Sequence, residues 1–65
     1  MKAFSPKLDA TLASKIKALL KETNWNHAQI AAFFGGLNQG RVSEVNTGKA
    51  YGYVSPCSLT EALKR

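Results

Sequence analysis

The sequence predicts an all-α fold: one small four-helix domain in which a long first helix packs against the second and third. Three observations predict it. Leu8, Leu12, Ile16, Leu19 and Leu20 recur at the spacing that lays one apolar stripe along a helix, with Ala13 beside it. Helix-start signals recur at Asn26 and Ser58, each followed three positions on by Gln29 or Glu61 in the pattern of a capping box. No stretch alternates apolar and polar residues over the length of a strand. At 65 residues the chain has room for one domain with a thin core, so a few well-placed apolar side chains must hold it.

Helix one is expected over residues 6–22. Ser5 is its N-cap and Pro6 takes the first helical position, where a missing N–H costs nothing. Asp9 falls in the first turn, where a carboxylate complements the positive end of the helix dipole. Lys15, Lys17 and Lys21 fall largely off the apolar stripe and read as solvated.

Thr23 to Asn26 breaks the pattern, and Asn24 or Asn26 can cap the next helix. Trp25 in this break reads as a lid on the small core, a surface role being the alternative. Helix two is expected over residues 27–34. Ile30 and Phe34 share a face, and Ala31 is small where another helix must cross closely. Phe33 is either part of a wide buried face or a contact for a second subunit. Burial is the reading adopted. Gly35 and Gly36 then form a turn, and Leu37 plugs the angle beyond it.

Helix three is expected over residues 38–47, capped by Asn38, with Val42 and Val45 facing inward and Gly48 free to close it in the left-handed conformation. Ala50 to Pro56 reads as an ordered loop. Helix four is expected over residues 58–64, with Leu59 and Leu63 on one face.

Nine Lys and Arg against four Asp and Glu give a formal net charge of +5, a positive field that favours polyanionic partners. One histidine, one cysteine and four scattered carboxylates offer no nucleophile–base pair or acid–base couple, so an enzyme is not expected. His27 has no companion at ligand spacing, which leaves no expected metal or cofactor. Cys57 has no partner for an internal disulfide, which suits a reducing compartment. No apolar run reaches membrane-spanning length, and MKAFSPK lacks the apolar core of a secretory signal.

With the valines of helix three inward, a step of about 100° per residue places Gly40, Ser43, Glu44 and Thr47 on the outer face, flanked by Gln39 and Arg41. That face has no bulky apolar group and suits a major groove. Gln pairs bidentately with adenine, Arg with guanine, and Glu accepts from cytosine. Gly40 inside a short exposed helix costs about 1 kcal/mol relative to alanine, a cost that close approach to another molecule would explain, as would drift.

Residues 16–49 resemble the helix-turn-helix DNA-binding domains of the phage repressor and Cro class. The resemblance lies in Gln29-Ile30-Ala31, the glycine turn, and Asn38-Gln39-Gly40-Arg41-Val42-Ser43-Glu44-Val45 followed by Thr47-Gly48-Lys49. One departure is an extra glycine. Pairing Ala31 with Gly35 leaves Gly36 as an added turn residue, whereas pairing Ala32 with Gly36 puts Gly35 where an apolar side chain belongs. The longer turn is the reading adopted, because it keeps Ile30 and Phe34 buried.

The resemblance implies that helix three enters the major groove, with Gln39 and Arg41 as leading base contacts and Ser43, Glu44 and Thr47 behind them. The start of helix two, at His27 and Gln29, and Lys49 would touch phosphates. Tyr51 and Tyr53 are further phosphate candidates, the alternative for either being to cover the core, and Asn38 is more a cap than a base contact. The expected function is sequence-selective binding of double-stranded DNA by a small transcriptional regulator of a bacterial or phage-like system, cytoplasmic and associated with the nucleoid. A homodimer or a larger protein partner would supply useful affinity, since one small domain covers a single half-site. The alternative is a protein-interaction module of the same fold that docks on a DNA-bound machine through Trp25, Phe33 and the last helix.

Overall fold

Asp9 caps the start of the first helix. The computed structural model describes residues 8–64. In it α1 spans Ala10–Glu22, α2 His27–Phe33, α3 Gln39–Thr47 and α4 Leu59–Ala62. The expected Ser5 cap and Pro6 start lie outside the described residues. Leu8 and Asp9 are not helical, and the Asp9 carboxylate accepts a hydrogen bond from Leu12 N at 2.8 Å. A short acidic side chain that reaches an orphan amide holds the chain extended at its own position, so Asp9 caps the helix and is not in its first turn. The last helix is likewise shorter than expected. Ser58 caps it by accepting from Glu61 N, and Leu63 already closes the single turn.

The core is built from Ile16 and Leu19 of α1, Ile30 and Ala31 of α2, Phe34 and Leu37 around the turn, and Val42 and Val45 of α3. Leu8, Leu12, Leu20 and Leu59 are half-buried against it. α1 packs closely on α3 and most extensively on α4, while α2 packs on α3. The expected direct packing of α1 on α2 is therefore secondary: α2 meets α1 mainly through the shared core. Ala62 provides the buried face of α4, and Leu63, expected beside Leu59, is 46% exposed because one turn is too short to bury both.

α1 is covered on two sides. Ala18 is fully buried although it lies roughly 200° around the helix from Ile16. On that same side Ser14 Oγ donates to Ser55 O at 2.8 Å, and Ser14 O accepts from Cys57 N. The connection between α3 and α4 thus runs over the back of α1. Lys15 and Lys17, expected to be solvated, are half-buried and staple the chain. Lys15 Nζ donates to Lys64 O, and Lys17 Nζ donates to both Tyr51 O and Val54 O. An ammonium carries three N–H donors, so one lysine can gather two loop carbonyls that have no helical partner. No helix among the described residues is long and apolar enough to cross a membrane.

Candidate functional site

α3 is held in place by its two ends and by two valines. Asn38 caps its start, accepting from Gly40 N at 2.7 Å. Gly48, at φ +84°, closes its end in the left-handed conformation that glycine takes without a Cβ clash. Val42 and Val45 are buried, at 0% and 2% exposed, which fixes the rotation of the helix about its axis.

The turn before α3 sets where it lies. Gly35 N donates to Ala32 O, and Gly36 N donates to Ala31 O, both at 3.0 Å. These are the paired bonds of a Schellman motif with Gly35 as its left-handed residue. Gly36 is also left-handed, at φ +95°, and it turns the chain so that Leu37 drops back into the core. α2 ends at Phe33, one residue before the expected boundary, with Phe34 as its cap; both glycines belong to the turn, and Ile30 and Phe34 stay buried.

The start of α2 is closed by a capping box. Asn26 Oδ1 accepts from Gln29 N, and Gln29 Oε1 accepts from Asn26 N, each at 2.8 Å. Beside it His27, a phosphate candidate, is half-buried, its Nε2 lying 3.5 Å from Asn46 Nδ2. Trp25 is half-buried against Phe33, with ring centroids 5.3 Å apart, and Phe33 meets Phe34 edge-on at 5.1 Å. The aromatic cluster is thus mostly absorbed by the fold.

On α3 itself Gln39, Gly40, Arg41 and Thr47 are exposed, and Ser43 and Glu44 are half-buried. Arg41 and Glu44 are not independent. Arg41 Nη1 donates to Glu44 Oε1 at 3.1 Å, an i,i+3 ion pair that neutralises one flank of the helix. Thr47 Oγ1 donates to Glu44 O. Gly40 has a local reason to be glycine: a Cβ there would lie 3.1 Å from the Asn38 cap oxygen. A side chain there would make the cap oxygen shift by a few tenths of an ångström, so the glycine argues less for a close external surface than the sequence suggests.

Of the phosphate candidates, Gln29 is engaged in its capping box; Asn38, expected as a cap more than a base contact, is engaged in its cap. Tyr51 is folded inward, its hydroxyl donating to Leu8 O at 3.3 Å and its backbone left-handed at φ 56°. Tyr53, whose ring lies 6.1 Å from that of Tyr51, is 82% exposed. Lys49 is exposed and makes no hydrogen bond or ion pair among the described residues. The side chain of Lys21 on α1 is likewise exposed and without a hydrogen bond or ion pair among the described residues. Lys15, Lys17, Arg41 and Lys64 are all engaged with carbonyls or carboxylates. The two free cations of the described residues therefore stand near the C-terminal ends of α1 and α3. The sequence reading missed Lys21 and Asn46, because their neighbourhood is made by two helices distant in the chain. No group of three or more His, Cys, Asp or Glu side chains is placed to hold a metal among the described residues. No family model, curated protein or solved structure matches the chain.

Proposed function

We propose that this chain binds double-stranded DNA sequence-selectively through a helix-turn-helix formed by α2, the glycine turn and α3, with α3 in the major groove. The observation that supports this most is the outer surface of α3. It bears no apolar side chain, its rotation is fixed by two buried valines, and it ends beside the free cation Lys49. Gln39 and Arg41 are the leading base contacts in this reading, with Ser43, Glu44 and Thr47 behind them and Lys49 on phosphate. Arg41 must leave Glu44 to reach a guanine. The pair is exposed, so that exchange costs about 1 kcal/mol or less. A small regulator acting in the cytoplasm at the nucleoid, as a homodimer or with a larger partner, is the setting this reading implies.

A protein-docking role for the same fold is the second reading, favoured by the exposure of Tyr53 and Leu63. The tilted contact of Trp25 with Phe33 weakens it, because it withdraws part of the aromatic surface on which such docking would rely. Selection of bound duplexes from a random pool, followed by a salt series, separates the two. DNA binding predicts a recovered sequence preference and an affinity that falls steeply with salt. Arg41→Ala is expected to lose roughly 1–3 kcal/mol of binding with an unchanged melting curve. Unchanged affinity at moderate salt would remove Arg41 from the interface, and salt-insensitive association with protein alone would favour docking.

A further inference from the structure

We propose that the concavity between α1 and the C-terminal half of α3 seats a backbone phosphate of the duplex, with Lys21 as the contacting cation. This rests on the placement of α3 in the major groove argued above. The concavity is open, has a volume of about 350 Å³, and is walled by Lys17 and Lys21 on one side and Asn46, Thr47 and Gly48 on the other. Leu20 and Val45 supply its apolar lining. That volume is roughly ten waters' worth, room for a solvated phosphate group.

Its chemistry is one-signed. No carboxylate lines it; the two acids adjacent to its lining along the chain are Glu22, exposed beyond Lys21 at the end of α1, and Glu44, which is paired with Arg41. Donors remain available there. Lys21 keeps all three of its N–H groups, Lys17 keeps one after serving Tyr51 O and Val54 O, and the Asn46 amide keeps one beyond its approach to His27. An ammonium fixed by two carbonyls also holds its charge in place without reorganising when an anion arrives.

The position follows from the dimensions of the groove. A major groove about 12 Å wide holds a helix about 10–12 Å across, so phosphates of both strands border the flanks of the inserted helix. One flank of α3 carries Arg41, already paired with Glu44. The other carries Asn46, about 100° from Thr47 around the helix, and opens directly into the concavity. The unpaired cation of α1 stands where the second strand passes.

The test is fluorescence anisotropy of the full chain with a short mixed-sequence duplex across a salt series, for the wild type, Lys21→Gln, Asn46→Ala and Lys15→Gln. Lys21 is exposed, and a melting curve for each variant verifies folding. A phosphate seat predicts that Lys21→Gln lowers the log–log salt slope by about 1 and weakens all duplex sequences alike. Asn46→Ala weakens binding without changing the slope, because a neutral donor is lost. Lys15→Gln removes an α1 charge whose ammonium is held at Lys64 O and leaves the slope as in the wild type. A steep wild-type slope unaltered by Lys21→Gln, or lowered equally by Lys15→Gln, overturns the seat while leaving the DNA reading intact. Absence of salt-dependent duplex binding by the wild type, or preference for single-stranded RNA, overturns both.

Discussion

The two connections that flank α3 are built in opposite ways. The turn from Phe34 to Asn38 closes on itself. Its amides bond to carbonyls of the helix just left, its two glycines take the left-handed conformations it requires, and Asn38 caps the next helix. The connection from Gly48 to Ser58, about twice as long, returns only the amides of Gly48, Ala50 and Val54 to carbonyls of α3 or of its own. Lys17, Ser14 and the carbonyl of Leu8, all from the N-terminal part of the chain, hold it across the molecule. A self-closed turn fixes the relation between α2 and α3 with little help. A strapped loop has a fixed course only once α1 is in place.

That contrast is open to attack, first through what both connections share. Val45 is buried at the centre of α3 and also lines the concavity beside Lys17. Val45→Asp buries an uncompensated charge, a loss of about 3–5 kcal/mol, which is a large part of the stability of so small a domain. Circular dichroism should show no cooperative melt. A melt like the wild type's would mean that α3 is rotated away from the core at this position.

The next effect is selective. Lys17→Met keeps the apolar stem but removes two charge-assisted bonds, at a cost of about 1–3 kcal/mol. Hydrogen exchange by mass spectrometry should show faster exchange over residues 48–56 and unchanged protection over residues 31–37. Equal loosening of both stretches would show that the strap and the turn are one cooperative unit.

The smallest effect sharpens the other side. Gly35→Ala places a Cβ on a residue at φ +84°, with open space around it, so the cost is conformational alone, about 1 kcal/mol. The melting temperature should fall while the residues from Gly48 onward keep their exchange rates. A loss well above 2 kcal/mol would mean that the turn is braced by more than its own backbone.

The caps and the turn were legible because their physics is local. Asn26 with Gln29, Asn38, Gly35 and Gly48 each satisfy or release backbone groups within a few residues, so residue type and spacing suffice to place them. The all-α class and most of the core were equally readable, since Ile16, Leu19, Ile30, Val42 and Val45 follow helical periodicity. Of the candidate site, the sequence alone determined the composition and rotation of the outer face of α3.

What only the tertiary structure decided is which polar groups are already engaged. A lysine at position 15, 17 or 21 looks the same in the chain. The folded arrangement of α1 against the last connection and the residues beyond α4 engages Lys17 and Lys15 with carbonyls and leaves Lys21 free beside α3. Tyr51 and Tyr53, two residues apart, part in the same way, one covering α1 and the other facing outward. Long polar side chains carry no periodic signal and reach several ångströms in any direction. Their partners are therefore chosen by which distant backbone carbonyls the packed helices bring within range.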